Sequence, residues 1–159
     1  MKRFLTVFLA VVTIASAPVA LAKSPILNRT PHGPCVFRQV PKPSMSATHV
    51  HYLVRSEIAC AARRFGVSET FAQCIALRES GDWPWAGPYH SSKGVFQQNI
   101  GPSGSWWQSR ARTWLPRAWF SRYAAVVEHG WFNARANILV SIRMAHSGGW
   151  GPWTTSGGC

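Results

Sequence analysis

The chain has 159 residues and a net charge of +12, with 17 lysines and arginines against only five aspartates and glutamates. About 110 residues remain once the N-terminal segments described below are set aside, which is enough for one hydrophobic core and not for two. The scarcity of acids restricts any carboxylate chemistry to a short set of side chains, which are Glu57, Glu69, Glu79, Asp82 and Glu128.

The N-terminus predicts export. Lys2 and Arg3 precede an apolar stretch over residues 4–15, and the run ALA at 20–22 has the small residues of a cleavage site. We therefore expect residues 1–22 to be a signal peptide and the remaining chain to be secreted or periplasmic, at the cell wall. No later segment has the roughly 18 apolar residues of a transmembrane helix, so we expect no stable membrane insertion.

The positive charge restricts the partners. Export argues against nucleic acid and leaves the anionic polymers of the cell wall, peptide carboxylates and lipid headgroups as polyanions that a basic monomer could meet. A role of the charge in solubility alone is the alternative. The sequence has no sustained basic amphipathic helix of the kind that acts on membranes. One group of arginines predicts a solvated basic face that could contact wall anions: Arg110, Arg112, Arg117 and Arg122.

Residues 23–47 predict a proline-rich, extended N-terminal arm, and the compact domain is expected over residues 48–159. Apolar residues recur at helical spacing over residues 54–65, and a second helix is expected between the cap Ser68 and the breaker Gly81. Residues 81–118 predict loops with at most short strands near 95–99. Two more helices are predicted at 119–129 and 133–146. The expected fold class is mainly α, a helical domain with a loop-built cleft and at most a small β element.

Four cysteines in an exported chain predict two disulfides, with three possible pairings. Cys60 and Cys74 stand at similar distances on either side of the turn at residues 66–68. This symmetry favours a bond between them, and it leaves Cys35 to pair with Cys159. Zinc is the alternative, but no close Cys-x-x-Cys pair is present and the pair His49 and His51 lacks a third ligand. We therefore expect no metal and no cofactor.

Glu79 is the carboxylate best placed for chemistry. It falls in the last turn of the second predicted helix, where the negative end of the helix dipole and burial both favour a protonated carboxyl group. A protonated carboxyl group beside tryptophans suits cleavage of a glycosidic bond, because the leaving oxygen must receive a proton. Trp83 and Trp85 follow Glu79, and Trp150 and Trp153 could close the same groove from the tail. Packing in the core is the alternative for each tryptophan.

These residues resemble a known superfamily, the lysozyme-like glycan cleavers, and especially the soluble lytic transglycosylases. Residues 61–81, ending in Glu79-Ser80-Gly81, are similar to the catalytic helix hairpin of that family. The run GVFQ at 94–97 is similar to its Gly-Leu-Met-Gln segment. Residues 137–138 and the run GGWGPW at 148–153 resemble its closing helix and tail. Cys74 and residues 79–83 are also partly similar to resuscitation-promoting factors.

The resemblance covers residues 52–153 and implies a lysozyme-like fold, peptidoglycan glycan strands as the partner, and Glu79 as general acid and base. The bond cleaved would be the one between N-acetylmuramic acid and N-acetylglucosamine. Ser80 and Gln97 would line the site, and Gly94 would let the backbone approach the sugar. Together with the tryptophans, the expected substrate-binding residues are Ser80, Trp83, Trp85, Gly94, Gln97, Asn99, Trp150 and Trp153.

The mechanism depends on a second carboxylate. Residues 94–99 also resemble a run of animal-type lysozymes in which an aspartate stands two residues before the glycine, whereas this chain has Ser92 there. A retaining glycosidase needs two carboxylates about 5 Å apart, and an inverting one needs roughly 6.5 to 9.5 Å. Asp82 is the possible second carboxylate nearest Glu79 in the sequence, and a role in the turn after Gly81 is the alternative.

A lytic transglycosylase needs no second carboxylate, because one glutamate can protonate the leaving group and then activate the 6-hydroxyl of the substrate. The product is then a 1,6-anhydro sugar. The sequence therefore favours a lytic transglycosylase. A hydrolytic muramidase and a catalytically silent peptidoglycan-binding module are the alternatives.

Overall fold

A computed structural model describes residues 41–87, 91–118, 120, 124–153 and 157–159. The predicted signal peptide, most of the predicted arm with Cys35, and Arg122 lie outside the described residues. In the part of the chain that the structure describes, no helix combines the length and the apolar character that crossing a membrane requires.

The protein is mainly helical and carries one small antiparallel sheet, as the sequence predicted. The sheet has two short strands, Ser92–Lys93 and Gln98–Asn99. Ser92 pairs with Asn99, and Lys93 pairs with Gln98. In chain order the elements are α1 (Ala47–Phe65), α2 (Glu69–Ser80), β1 (Ser92–Lys93), β2 (Gln98–Asn99), a 3-10 turn (Pro102–Gly104), α3 (Ser105–Trp114), α4 (Ala124–His129), a second 3-10 turn (Gly130–Phe132) and α5 (Ala134–Gly148).

Side-chain caps begin three of the helices. The hydroxyl of Ser68 accepts the backbone N–H of Phe71 at the start of α2, and Oδ1 of Asn133 accepts that of Ala136 at the start of α5. The cap Ser68 was predicted, and Asn133 is the first residue of the helix predicted at 133–146. Helix α1 begins at Ala47 behind a third cap, Ser46, and so the predicted start at residue 54 is wrong. The first two turns of α1 bury few apolar side chains, so the sequence there lacks the periodic pattern of apolar residues that indicates a helix.

Helix α3 contradicts the prediction of loops and turns over residues 81–118. Only Trp107 and Ala111 are buried in this helix, one turn apart. Apart from the half-buried Trp114, its other side chains are polar or exposed. Such a narrow buried face gives a weak periodic signal. Helix α4 lies within the predicted helix at 119–129, whose first part falls largely outside the described residues.

The core lies where α1 packs against α2 and α5. Its largest buried aliphatic side chains are Ile58 from α1, Ile75 from α2, and Ile138 and Ile142 from α5. The hairpin between β1 and β2 adds a fully buried Phe96 to the same cluster. Because each of these elements gives one apolar face to a shared centre, the ends of α2, the hairpin and α5 are held close together.

One acidic side chain is buried at the contact of α1 with α5. Glu57 on α1 is 3% exposed, and its Oε1 lies 3.8 Å from Nε of Arg135. Burial raises the pKa of the Glu57 carboxyl group, and the nearby charges of Arg135 and Arg64 lower it only in part. The net result is a carboxyl group that resists ionisation in the folded protein.

This burial predicts a pH-dependent stability. Because the pKa of Glu57 lies above its ordinary value of 4.5, the stability that its neutral form contributes is fully present below that pH. It is lost as the pH rises through the raised pKa. We therefore expect Glu57→Gln to have a higher Tm than the wild type at pH 7 and a similar one near pH 4. Each unit of raised pKa corresponds to about 1.4 kcal/mol.

Thermal unfolding followed by circular dichroism across that pH range measures the difference. Glu128→Gln, which removes an exposed acid from α4, is the matched control and should leave the pH dependence of the wild type unchanged. Equal pH dependence of Tm in the wild type and Glu57→Gln would contradict the prediction.

Candidate active site

Glu79 lies in the last turn of α2, as predicted, and is half-buried. The helix ends at Gly81, which adopts a left-handed conformation with φ of 65°. This conformation lets the N–H of Gly81 bond to the carbonyl of Leu77 and the N–H of Asp82 bond to the carbonyl of Ala76. The chain therefore turns away immediately after Ser80, and Glu79 is left at the rim of a cavity.

That cavity has a volume of about 250 Å³. Four other parts of the fold complete its wall around Glu79: the β1–β2 hairpin, α3, α5 and the tail. In addition to Glu79, the residues that line the cavity are Ser92, Gln97, Gln98, Asn99, Arg110, Met144, Pro152 and Trp153. The structure thus brings Glu79 together with Gln97, Asn99 and Trp153 of the predicted site. Among the described residues that line the cavity, Glu79 carries the only carboxylate.

The hairpin that supplies half of this lining is fixed by a buried amide. Oδ1 of Asn137 on α5 accepts the N–H of Phe96 at 2.8 Å, and its Nδ2 donates to the carbonyls of Lys93 and Trp131. Asn137 is fully buried, and all three bonds join α5 to neighbouring backbone. The amide therefore sets the distance between the hairpin and α5, and with it the width of the cavity.

Gly94 has a packing role that the sequence did not predict. It lies at the tip of the hairpin with φ of 79°, and a Cβ there would collide with the carbonyl of Trp131 and the side chain of Asn137. It does not line the cavity. The missing side chain lets the hairpin approach α5, and the role of Gly94 in the approach of the backbone to a sugar stays a prediction.

Ser80 also acts in the framework of the site. Its hydroxyl lies 2.7 Å from the carbonyl oxygen of Val95 and 3.1 Å from that of Ala76, and it accepts the N–H of Trp83. Ser80 is not among the cavity residues. These contacts connect the end of α2, which carries Glu79, to the hairpin and to the loop that follows the helix.

Asp82 lies away from the cavity. It is fully buried with φ of 61°, and its Oδ2 accepts Nε–H of Arg55 at 2.6 Å. The carboxylate therefore forms an ion pair with α1. The position of Asp82 in the turn after Gly81 matches the alternative given above, a role as a turn residue. Asp82 does not supply a second carboxylate to the cavity that Glu79 lines.

The predicted tryptophans divide between two places. Trp83 makes edge contacts with His51 of α1 and with Trp85, at ring distances of 6.0 and 5.1 Å, and neither tryptophan lines the cavity. Trp153 does line it, and its Nε1–H donates to the carbonyl of Phe96 at 2.8 Å. Trp150 stacks on the ring of Phe96, 5.8 Å away, behind the cavity wall. The tail tryptophans therefore attach residues 150–153 to the hairpin.

Sequence reasoning missed four of the lining residues. Gln98 and Pro152 lie within the runs at 94–99 and 148–153 but were not selected, and Met144 has no local signal. The fourth, Arg110, was assigned to a solvated basic face, which is wrong because it is half-buried in the cavity wall. Its Nη1 donates to Oε1 of Gln98 at 2.9 Å and to the carbonyl of Asn99 at 2.6 Å. Burial lowers the pKa of Arg110. A correct prediction of α3 would have placed Arg110 beside the buried Ala111.

The predicted disulfide pairing is wrong. Cys74 bonds to Cys159, with a Cα–Cα distance of 5.8 Å, and Cys60 forms a different disulfide. Arg78, one turn after Cys74, donates to the carbonyl of Gly158. Both contacts fasten the end of the chain to one face of α2. The prediction rested on the symmetry of Cys60 and Cys74 about the turn, and it did not take into account the direction in which each helix face points.

Within the described ranges, no group of three or more His, Cys, Asp or Glu side chains is arranged to hold a metal ion. Comparisons of the chain with family models, with curated proteins and with solved structures find no match. A functional assignment therefore depends on the residues of the cavity and on the chemistry that they permit.

Proposed function

We propose that the protein is an exported lytic transglycosylase that cleaves peptidoglycan between N-acetylmuramic acid and N-acetylglucosamine. The observation that carries the proposal is the position of Glu79, a half-buried carboxyl group at a helix end and the one carboxylate among the described lining residues of a polar cavity. A single carboxyl group in such a place can serve first as an acid and then as a base.

The proposed reaction uses Glu79 twice. In the first half, its carboxyl group donates a proton to the glycosidic oxygen as the bond from that oxygen to C1 of the muramic acid breaks, and the leaving sugar departs as an alcohol. In the second half, the carboxylate takes the proton of the C6 hydroxyl of the same muramic acid while O6 bonds to C1. The product is a 1,6-anhydro ring, no water is consumed, and Glu79 ends protonated as it began.

Ser92 supports this outcome over hydrolysis by two carboxylates. Ser92 lines the cavity from β1, where it pairs with Asn99 of β2. A serine hydroxyl does not ionise near neutral pH, so it can neither attack as a carboxylate nor stabilise an oxocarbenium ion as one. Among its described lining residues, the cavity therefore lacks the second carboxylate that retaining and inverting glycosidases place across the bond.

The remaining lining suits a sugar. Gln97 and Asn99 add two amide side chains whose donors and acceptors match the hydroxyl and N-acetyl groups of the two sugars. The buried amide of Gln98 is bound instead to Arg110 and Ser141. Trp153 and Met144 add apolar surface for the C–H faces of the rings. A mixture of this kind favours a polar ligand with apolar faces, as a glycan is.

The test is the chemistry of the product. Purified sacculi are digested with the protein in heavy-oxygen water, and the released fragments are analysed by mass spectrometry. We expect 1,6-anhydro-muramic ends without incorporated heavy oxygen. A known muramidase is the control, and it should give reducing ends that carry the label.

Labelled reducing ends from this protein would show that it is a muramidase. Binding to sacculi with no released fragments would show a silent binding module. Either result would overturn the proposal.

A further inference from the structure

Arg110 is a half-buried cation whose hydrogen-bonding capacity is only partly used. A guanidinium group has five N–H donors, and the bonds of Arg110 to Gln98 and Asn99 both use Nη1. Within the described part of the chain, the ion pairs join other arginines, Arg55, Arg63 and Arg135, to carboxylates. Arg110 therefore presents a positive charge and spare donors in the wall of the cavity that Glu79 lines.

The guanidinium group is held in place. Gln98, which accepts one bond from Arg110, is buried and donates from its own Nε2 to the hydroxyl of Ser141 on α5 at 2.7 Å. The second bond ends on the backbone of β2 at Asn99. These contacts fix Nη1 against the hairpin before any ligand arrives, so little side-chain freedom remains to be lost on binding.

No described carboxylate forms an ion pair with Arg110. A partly buried cation without an ion-pair partner is costly, because it gives up water without gaining an opposite charge in contact. The lowered pKa of Arg110, which burial causes, agrees with that cost. An anionic ligand group would offset it. A carboxylate is the matching shape, because it accepts two parallel N–H bonds from a guanidinium group.

We propose that Arg110 forms a carboxylate subsite and that the protein selects muramic acid units by a carboxylate group. This inference rests on the proposed function, since the two share one cavity. Of the two sugars in a glycan strand, only muramic acid carries a lactyl ether, whereas N-acetylglucosamine is neutral. The carboxylate has two possible sources: the lactyl group itself in peptide-free glycan, or the stem peptide that is amide-linked to it.

The position of the subsite agrees with the proposed reaction. Arg110 and Glu79 line the same cavity, and the muramic acid must present C1 and its 6-hydroxyl to Glu79. A carboxylate bound at Arg110 would therefore lie on the sugar that is being closed into the anhydro ring. Recognition of that group would set which of the two alternating glycosidic bonds reaches Glu79.

The experiment measures binding by Glu79→Gln, in which the proposed chemistry is blocked. The probes are a peptide-free oligosaccharide of alternating muramic acid and glucosamine units, its lactyl methyl ester, the same glycan with intact stem peptides, and a neutral chitin oligosaccharide. We expect one carboxylate-bearing probe to bind about tenfold or more tightly than the neutral probes, as a charge-assisted hydrogen bond implies. A preference for the peptide-free acid identifies the lactyl source, and a preference for the peptide-bearing glycan identifies the stem.

Adding Arg110→Met to this variant should remove the preference, and adding Arg110→Lys should keep part of it. The matched control is Arg112→Met, an exposed arginine of the same helix, which should keep all of it. Circular dichroism shows whether each variant is folded, and the lysine variant keeps the test valid if the methionine variant is not.

Equal binding of charged and neutral probes, or a preference that survives Arg110→Met, overturns the inference. If the wild type still forms anhydro ends in that case, the proposed function stands without the subsite. If no glycan probe binds and no ends form, both proposals fail.

Discussion

Replacing Glu79 by glutamine is expected to reduce the release of fragments from peptidoglycan by about a thousandfold, the scale at which a positioned general acid contributes to catalysis. Glutamine keeps the size of the side chain at the end of α2 and still donates hydrogen bonds. It cannot give a proton to the leaving oxygen or take one from the 6-hydroxyl group. The loss should therefore appear in the rate of cleavage, while binding to sacculi is retained.

The measurement is release of soluble muropeptides from purified sacculi, together with a sedimentation assay of the bound protein. Glu69→Gln is the matched control, because Glu69 begins the same helix and pairs with Arg63 on its outer face. That variant should keep the activity of the wild type. Undiminished release by Glu79→Gln would remove the basis of the proposed function.

Removal of the disulfide between Cys74 and Cys159 is expected to have the largest effect on stability. The bond closes a loop with a sequence separation of 85 residues. On the chain-entropy account, the double variant Cys74→Ser with Cys159→Ser should lose about 4.5 kcal/mol of unfolding free energy. The bond also holds the end of the chain beside Arg78, one residue from Glu79, and the tail before it carries Trp153. We therefore expect reduced activity even where the variant remains folded.

Urea unfolding and the muropeptide assay measure the two effects. The matched control is Arg78→Met, which removes the bond to the carbonyl of Gly158 and leaves the disulfide in place. Its loss should be about 1 kcal/mol, the net contribution of one hydrogen bond. Equal stability of the double serine variant and the wild type would show that the disulfide does not stabilise this fold.

Much of the helical structure could be predicted because its signals are local. Ser68 and Gly81 mark the two ends of α2, and Asn133 marks the start of α5, by contacts within a few residues of each helix end. Helix α3 and the first turns of α1 were missed because each buries too few side chains to produce a periodic pattern. Their helical state depends on packing against the rest of the fold.

The candidate site was predicted in part. Glu79 could be found because a rare acid at a helix end is visible in the chain itself, and the run at 94–99 indicated Gln97 and Asn99. Trp83 and Trp85 are near Glu79 in sequence, yet the turn at Gly81 directs Trp83 toward α1, and Trp85 packs on Trp83. Arg110 is distant in sequence, yet the hydrogen bonds of Gln98 and Asn99 hold it in the cavity.

The sequence by itself determined the mainly helical class, the ends of α2, and Glu79 as the acid to consider. Caps, breakers and helix ends act over one turn of chain, so their effect can be predicted from neighbouring residues. Only the tertiary structure decided the partner of Cys74, the burial of Asp82 and the place of Arg110 beside Glu79. Each of these depends on which faces of distant elements meet, and that is settled by packing over the whole core.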